Sequence, residues 1–386
     1  MSLHNNLDVP VMRPLDDIVV LDFSTLLPGP LASLLLAEAG ATVLKVERPN
    51  GGDEMRSYRP RLGDDSINFV MLNRGKESLA IDLKSADALS RLTPIIQKTD
   101  VLIEQFRPGV MDRLGLGYAA VRDINPRLIY CSITGWGQNG PKSQEAAHDL
   151  NYMAETGLLG LAKGADGAPV LPPILAADIA AGSYPALINI LLALRQRERT
   201  GQGIHLDVAM GENLFSLAYW GLGNGFGAGE WPKSGDETVT GGSPRYQIYR
   251  TSDDLYVAAA PLEEKFWNNF SNLIDLPEPL RKADAPQREV IAAVAALIGQ
   301  KTAAEWEAIF RGHDVCCSIV RSLESAVRDA HFKARNVFNP ETAAGSVTIP
   351  ALPVPISAAF RGAPAVLSAP QLGEHTEVRL RIGGAT

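Results

Sequence analysis

The apolar positions in the first half of the chain alternate between short β-rich runs and longer helical stretches. Asp17–Phe23 (DIVVLDF) and Thr42–Val46 (TVLKV) are typical of buried strands, and the helical stretch Leu31–Ala39 lies between them. A strand, a helix and a second strand form a βαβ unit, which requires parallel strands. The pattern continues to residue 210, with strands predicted at Leu79–Leu83, Val101–Glu104, Arg127–Thr134 and His205–Met210 and helices at Ala86–Lys98 and Ile179–Arg199.

The pattern changes after about residue 220. Gly221–Gly242 is rich in glycine and predicts a loop or linker. Tyr246–Arg250 and Leu255–Ala259 alternate around three polar residues and predict a hairpin, with helices to follow at Lys265–Leu273, Gln287–Leu297 and Thr302–Phe310. We therefore predict a large α/β domain over residues 1–222, a smaller α+β domain over 223–335, and a Pro-rich C-terminal segment, 336–386, that returns to the large domain.

Length, charge and cysteine usage narrow the class of protein. The 386 residues exceed the roughly 250–300 at which single cores tend to divide. No apolar run in the sequence reaches the ~18 residues of a membrane helix, and the N-terminus has no signal-peptide core, so we expect a cytoplasmic protein with a short disordered lead-in. Three cysteines form an odd, sparse set that fits a reducing compartment, and a net charge of −8 disfavours a nucleic-acid partner.

Several common cofactor and catalytic motifs are missing from the sequence. The turn Ser24–Pro30 after the first strand lacks the glycines of G-x-G-x-x-G, which argues against a nicotinamide or flavin cofactor. The chain has neither a phosphate-binding P-loop motif nor the G-x-S-x-G of hydrolases. Cys316 and Cys317 have no second cysteine pair at zinc-site spacing, so we expect no bound metal.

Two residues have a context that suggests chemistry. His148 lies in a polar cluster after the strand Arg127–Thr134, where ligands bind to parallel sheets, although it also fits a solvated or structural histidine. Asp178 is surrounded by small and apolar residues. Two interpretations fit it equally well. It is either a helix N-cap, or a carboxyl group whose proton affinity is shifted so that it can act as an acid, a base or a nucleophile.

Longer blocks of sequence identify a family resemblance. They include VLDFSTLLPGPLASLLLAEAGATVLKVERP, DVLIEQFRPGVMDRLGLGY, HDLNYMAETG, LPPILAADIAAGSYPALINILLALRQRERTGQGIHLDVAM and the terminal LGEHTEV. Nearly end to end, the chain resembles the class III CoA-transferase and α-methylacyl-CoA racemase family, also called the carnitine dehydratase/bile-acid-inducible family. The resemblance implies a large Rossmann-like α/β domain, a smaller domain, and two chains interlocked as a homodimer.

The resemblance also implies the residues of the site. Coenzyme A would arrive as part of an acyl-CoA substrate, with no tightly bound cofactor. Its nucleotide end would contact Arg48, Ile81, Asp82, Leu83, Lys84, Gln105, Phe106, Arg107 and Arg113, and its thioester end Ala147, Asn151 and Tyr152. The implied catalytic residues are Asp178, His148, Asp149 and Glu263. Glu263 would orient the histidine; its alternative is a solvated acid beside Glu264.

Two chemistries in the family use the acid that matches Asp178. In transferases it attacks the acyl thioester and forms a mixed anhydride and then an enzyme-bound CoA thioester. In racemases it exchanges a proton with the α-carbon of a 2-methylacyl-CoA, and a histidine matching His148 serves the opposite face. The block His-Asp-x-Asn-Tyr favours the racemase, whereas Met153–Thr156 departs from the more apolar racemase sequence. The sequence therefore favours racemisation, with CoA transfer as the alternative.

Overall fold

The computed structural model describes residues 12–164, 166–362 and 365–384. Most of the predicted N-terminal lead-in, residues 1–11, lies outside the described residues. The chain folds into two compact units. Of the described residues, the first unit contains those up to Thr156, Ile174–Leu217 and those from His331 onward, and the second contains Gly157–Pro173 and Ala218–Ala330. The sequence prediction places 157–173 in the large domain instead, and the later boundaries near 222 and 335.

A six-stranded parallel sheet organises the first unit. Its strands are β1 (Val19–Asp22), β2 (Thr42–Glu47), β3 (Glu77–Ala80), β4 (Val101–Glu104), β5 (Ile129–Thr134) and β6 (His205–Ala209). Their order in the sheet is β3-β2-β1-β4-β5-β6, and every neighbouring pair is parallel. This confirms the predicted α/β class, and it brings the carboxyl ends of all six strands to one edge, where ligands bind in such folds.

Helices cover both faces of this sheet. One apolar cluster joins Leu21, Leu44 and Leu102 of the strands to the helices Ala88–Ile96 and Tyr118–Ile124. A second cluster contains helix α1 (Pro28–Glu38) and the helix Ile67–Asn73. Helix α1 begins three residues before the predicted Leu31, because proline is tolerated in the first helical turn. Shorter elements are Glu54–Ser57, Arg61–Leu62, Asp65–Ser66, Val110–Arg113, helix α2 (Asp149–Glu155), Leu158–Leu161 of the second unit, Met210–Asn213 and Leu214–Ala218.

The predicted helix Ile179–Arg199 has two parts in the structure. It opens with the π-helical segment Ala177–Ser183 and continues as α3 (Tyr184–Thr200). Pro185 has no N–H to donate to the carbonyl of Ala181, and that oxygen accepts a hydrogen bond from Asn213 Nδ2 at 2.9 Å instead. The π-helical geometry is common at functional sites because it displaces one side chain from the regular helical position.

By length and composition, the stretch Ala177–Thr200 is apolar enough to cross a membrane. The sequence prediction found no such run, because charged residues interrupt the apolar ones at its end. Ala186, Ile190 and Ala193 on this helix are buried within the first unit. A core helix of a soluble protein meets the same criterion, so the observation is weak evidence for a membrane span.

The second unit contains the predicted hairpin, which is confirmed. Gln247–Arg250 pairs antiparallel with Tyr256–Ala259, and Cys317–Ile319 joins as a third strand. Trp267 and Trp306 are buried in the apolar core beside this sheet. The helices and turns of this unit are Tyr219–Ala228, Thr238–Thr240, Glu264–Leu273, Glu278–Arg281, Gln287–Ile298, Ala303–Phe310 and Leu323–Val327.

The predicted loop over Gly221–Gly242 is wrong in its first part, where the chain forms the helix Tyr219–Ala228. A Cβ atom on Gly225 would lie 2.5 Å from the ring of Trp231, and one on Gly221 would lie 3.0 Å from Pro232. The glycines therefore let the returning chain pack against the helix backbone. This packing outweighs the low helix propensity of glycine.

The Pro-rich C-terminal segment contains regular secondary structure. It contains the strands Glu341–Ala344, Val347–Pro350 and Leu367–Ser368, the turn Ala358–Phe360 and the helix Thr376–Gly384, and the short helix Ala330–Ala334 precedes it. The last helix contacts strand β3: Thr376 Oγ1 accepts a hydrogen bond from the Ala80 N–H at 2.9 Å, and Arg379 pairs with Glu77.

Candidate functional site

A cavity of about 390 Å³ opens at the carboxyl edge of the sheet, beside the ends of β4 and β5. Its walls come from the loops after β1, β4 and β5, from helix α2 and from the π-helical segment. The lining residues are Leu26, Pro28, Gln105, Phe106, Arg107, Pro108, Ile133, Thr134, Gly135, Trp136, Ser143, Glu145, Ala146, Ala147, His148, Asn151, Tyr152, Asp178 and Met210. The cavity thus combines both residues that the sequence singled out, Asp178 and His148, with the predicted thioester-end residues.

Asp178 is the second residue of the π-helical segment and is partly buried in the cavity wall. Burial is the main cause that raises the pKa of its carboxyl group to about 6, and the negative charge of Asp149 adds to it. The charge of His148 acts in the opposite direction. Asp178 therefore changes its protonation state within about a unit of neutral pH, where a group that both accepts and donates protons is most effective.

Asp149 is hydrogen-bonded to the main chain of Asp178. It is buried, at 6% exposure, in the first turn of α2, and its Oδ1 accepts a hydrogen bond from the main-chain N–H of Asp178 at 2.9 Å. The bond connects two segments that are 29 positions apart in sequence. Asp149 is predicted to be catalytic. In the structure it contacts the main chain of Asp178, where it orients Asp178 and raises the pKa of its carboxyl group.

His148 precedes helix α2, with an extended backbone and an exposed side chain. Its main-chain N–H donates to Asn151 Oδ1 at 3.0 Å, and its carbonyl accepts from the Asn151 N–H. Asn151 thus fixes the backbone of the histidine. The exposed ring is able to reach a substrate in the cavity, since His148 is one of its lining residues.

An aromatic wall completes the cavity. Trp136 packs edge-on against Tyr152, with 5.1 Å between the ring centroids, and the Lys142 ammonium group lies 4.9 Å from the Trp136 ring. Tyr152 donates a hydrogen bond to the Ala147 carbonyl at 3.1 Å. Burial raises the pKa of Tyr152 to about 12, and the negative charge of Asp178 contributes. The phenol therefore stays protonated near neutral pH.

Trp136 and Met210 were missed by the sequence analysis. Trp136 follows strand β5 in the block GWGQNGP, and its position after a parallel strand was a signal that could have identified it. Met210 follows β6, and a Cβ on Gly182 would lie 3.0 Å from its sulfur. Nothing in the local sequence connects these two positions, because folding alone brings them together.

The residues predicted for coenzyme A lie in the loops after successive strands. Arg48 follows β2, the stretch Ile81–Lys84 follows β3, and Gln105–Arg107 follows β4. Arg113 ends the short helix Val110–Arg113. The loops after β2, β3 and β4 leave the sheet at the same edge, with the loop after β1 between those of β2 and β4. Of the residues predicted for the nucleotide end, only Gln105–Arg107 line the cavity.

These loops differ in the chemistry that they present. Arg48, Lys84, Arg107 and Arg113 are exposed cations, which suit phosphate groups. Arg48 is held by the Gly52 carbonyl at 2.8 Å and by Glu54 at 3.2 Å. Ile81 is fully buried, Leu83 packs on the sheet core, and exposed Asp82 accepts the Lys84 N–H at 3.0 Å. The side chains of Ile81 and Leu83 can therefore only shape this loop, and the Ile81 N–H already donates to the Glu47 carbonyl at 2.9 Å.

Glu263 lies in the second unit, immediately before the helix Glu264–Leu273. Its extended backbone places it at the start of that helix, and its side chain is exposed. Its neighbour Glu264 forms an ion pair with Arg245 at 2.7 Å. The orienting role of Glu263 stays a prediction.

Comparisons with known proteins agree with this architecture. A family model described as CoA-transferase family III matches residues 15–376. Alpha-methylacyl-CoA racemase of Mus musculus is 34% identical over 369 residues, covering 94% of this chain and 91% of that protein. Succinyl-CoA:glutarate CoA-transferase of Mus musculus is 31% identical over 333 residues, covering 84% and 76% respectively.

A solved structure extends the agreement to the fold. The CAIB/BAIF family protein from Brucella suis superimposes with a TM-score of 0.81 at 27% identity, covering 96% of this chain and 99% of that one. The relatives include both racemases and CoA-transferases, so they establish the family and leave the individual reaction to the chemistry of the site. The chain belongs to CoA-transferase family III.

Proposed function

We propose that this protein racemises 2-methylacyl-CoA thioesters by exchanging the α-proton between His148 and Asp178. The observation that carries the proposal is that both side chains line one cavity, in which Asp178 has a pKa of about 6. An α-hydrogen beside a thioester is weakly acidic, so its removal needs a base, and inversion needs an acid on the other face. A neutral imidazole and a protonated carboxyl group supply that pair.

His148 and Asp178 account for every proton that the reaction moves. In one direction His148 takes the α-proton as the C–H bond breaks, and the electron pair moves into the enolate of the thioester. Protonated Asp178 then delivers its proton to the α-carbon, and the carbonyl is restored. In the other direction ionised Asp178 is the base and the protonated imidazole is the acid. The raised pKa of Asp178 supports both roles, because neither protonation state is strongly disfavoured near neutrality.

The alternative function is CoA transfer through an anhydride at Asp178. It is favoured by the 31% identity to succinyl-CoA:glutarate CoA-transferase over 84% of this chain. In that reaction ionised Asp178 would attack the thioester carbonyl and release CoA thiolate. A pKa of about 6 leaves most of the carboxyl group ionised at pH 7.5, so this role is chemically open to the same residue.

We also propose that two copies of the chain associate. Ile188, Leu191 and Leu192 form an i, i+3, i+4 stripe on α3 and are 56%, 42% and 62% exposed. An apolar stripe on the outside of a helix favours burial against another protein surface. The family resemblance supports a homodimer as the form that covers this stripe. A monomeric mass by light scattering at micromolar concentration would contradict it.

Deuterium exchange tests the proposed reaction directly. In heavy water the wild-type protein should incorporate deuterium at the α-carbon of a 2-methylacyl-CoA, measured by mass spectrometry. His148→Ala should slow incorporation by orders of magnitude, while the exposed His313→Ala of the second unit serves as a matched control. The absence of exchange across a panel of branched acyl-CoA thioesters would exclude racemisation.

Trapping distinguishes the alternative. A transferase should lose activity to hydroxylamine or borohydride only after an acyl-CoA has been added, with the modification located on Asp178. A racemase forms no covalent intermediate at Asp178 and should be indifferent to both reagents. Transfer of CoA between two carboxylic acids by an Asp178→Ala variant would rule out the anhydride route.

A further inference from the structure

We propose that Glu104 is a positioning residue for the loop Gln105–Arg107, and that its ionisation couples the binding of coenzyme A to pH near neutrality. The inference rests on the proposed function, since this loop is one of the segments assigned to the CoA portion of the substrate. Glu104 itself ends strand β4 and is buried behind the loop at 4% exposure.

Three hydrogen bonds that involve side chains hold the loop in place. Glu104 Oε2 accepts from the Phe106 N–H at 2.8 Å. Gln105 accepts from the Gly29 N–H at 3.1 Å through Oε1 and donates to the Thr25 carbonyl at 2.7 Å through Nε2. The two Gln105 bonds tie the loop to the turn after β1, while the Glu104 bond fixes the peptide between Gln105 and Phe106. That peptide sets the direction in which Phe106 and Arg107 face the candidate site.

Glu104 also borders a second, smaller cavity of about 210 Å³, which shares Arg107 and Pro108 with the candidate site. Ser132 lowers the pKa of the Glu104 carboxyl group, and Ser132 Oγ lies 2.9 Å from His205 Nε2. Tyr118 stacks on His205 with 5.0 Å between ring centroids. The titratable and charged groups that face Glu104 are Arg107 and Asp112 from the segment after β4, Tyr130 and Cys131 from β5, and His205 and Asp207 from β6.

This environment disfavours a charge on Glu104 without abolishing it. Burial raises the pKa of Glu104 to about 7, with smaller contributions in the same direction from Asp112 and Asp207. Ser132 and the hydrogen bond from the Phe106 N–H act to lower this pKa. Burial also lowers the pKa of His205, so the imidazole is predominantly neutral when Glu104 titrates.

The two protonation states of Glu104 hold the loop differently. When ionised, Glu104 accepts a charge-assisted bond from the Phe106 N–H at 2.8 Å. When protonated, the carboxyl group is neutral, and the Phe106 bond loses its charge assistance. Charge-assisted bonds are roughly twice as strong as neutral ones, so the loop is held more firmly above pH 7.

The test uses free coenzyme A, the full chain and isothermal titration calorimetry between pH 6 and 8.5. The phosphate monoester of CoA titrates near pH 6, so each variant is compared with the wild type at the same pH. We expect Glu104→Gln, which keeps the shape and one acceptor, to bind equally at pH 6 and about 3- to 10-fold more weakly at pH 8. The ratio of dissociation constants should change with a midpoint near pH 7.

Ser132→Ala supplies a second readout that a purely structural role would not produce. Ser132 lowers the pKa of Glu104, so without its hydroxyl group the pH at which binding strengthens should move upward, while binding at pH 6 stays near the wild-type value. This variant also keeps the test valid if Glu104→Gln does not fold. A ratio for Glu104→Gln that is the same at every pH, or an unmoved midpoint in Ser132→Ala, would overturn the inference alone. Failure of the wild type to bind CoA at any pH would overturn the proposed function together with it.

Discussion

The main-chain N–H of Asp178 donates a hydrogen bond to Oδ1 of Asp149 at 2.9 Å. The bond ties the start of the π-helical segment to the first turn of helix α2, and it places a second buried carboxyl group beside the first. The negative charge of Asp149 acts with burial to hold the pKa of Asp178 at about 6. One residue thus fixes the backbone of the candidate catalytic acid and raises its affinity for protons.

Asp149→Asn should lower the pKa of Asp178, because the amide keeps the Oδ1 acceptor and removes the negative charge. When Asp178 acts as the base it must be ionised, so the rate of α-proton exchange in that direction falls as the pH drops through about 6 in the wild type. The variant should show this fall at lower pH. The pH–rate profile measured by deuterium incorporation checks the shift, with the exposed Asp123→Asn as the control. An unchanged profile would show that the charge of Asp149 does not act on Asp178.

Asp178→Asn should abolish exchange and stabilise the fold. The folded-state pKa of about 6 lies above the ordinary value of 3.8, so the folded state binds the proton more tightly than the unfolded state. The stability that this preference provides is present at low pH and is lost as the pH rises from about 4 to 6. At pH 7.5 the buried ionised group is a cost, and its replacement should raise the free energy of unfolding by about 1–2 kcal/mol.

Urea unfolding at two pH values measures this effect. The gain from Asp178→Asn should be larger at pH 7.5 than at pH 4, while Asp123→Asn should change little at either. A variant that is less stable than the wild type at pH 7.5 would mean that the carboxylate of Asp178 makes favourable contacts in the folded state, against its raised pKa.

The parallel sheet was predictable because its signals are local. Val101–Glu104 was predicted with the observed bounds, and its side chains are buried on both faces, as a continuous apolar run indicates. The predicted strand Leu79–Leu83 begins two residues after the observed strand Glu77–Ala80 and ends three residues after it. Strand β3 is Glu77–Ala80 because Leu79 pairs with Val46 of β2, and this register depends on a strand more than thirty positions earlier.

The site was predictable only in part, for the same reason. Asp178 and His148 each stand in a distinctive local context, and the resemblance to a family gave them roles. The cavity between them also depends on Trp136 and Met210, which approach through the packing of β5, β6 and the π-helical segment. Asn213 donates to the Ala181 carbonyl in place of the N–H that Pro185 lacks. Asn213 and Ala181 are 32 positions apart in sequence, and no local sequence pattern predicts such a contact.

The glycines of the helix Tyr219–Ala228 give a matched pair of substitutions. Gly225→Ala would place a Cβ 2.5 Å from the Trp231 ring and should destabilise the second unit by about 1–3 kcal/mol. Among the residues that the structure describes, no heavy atom lies within 4 Å of a Cβ added to Gly223, so Gly223→Ala should stabilise by about 0.5–1 kcal/mol through its higher helix propensity. Thermal melts followed by Trp fluorescence measure both. Equal effects of the two substitutions would contradict the close packing of Trp231 on the helix.

Two basic residues on strand β2 and just beyond it should respond oppositely to the same substitution. Lys45 is fully buried, pairs with buried Asp53 at 2.9 Å and donates to the Ser24 carbonyl at 2.7 Å. Arg48 pairs with Glu54 at 3.2 Å, but the two side chains are 58% and 45% exposed. When one partner of a buried ion pair is removed, the other charge remains in the protein interior, which solvates it poorly.

Lys45→Met should therefore cost about 3–5 kcal/mol of unfolding free energy, because Asp53 loses its compensating charge and Asp22 keeps only that of Lys76. Arg48→Met should change stability by less than about 1 kcal/mol, since its exposed pair is well solvated in either state. If Arg48 holds the nucleotide end of coenzyme A, the same variant should bind CoA more weakly by calorimetry. Urea unfolding and CoA titration of both variants separate the two roles, and a large stability loss in Arg48→Met with unchanged CoA affinity would assign Arg48 to the fold instead.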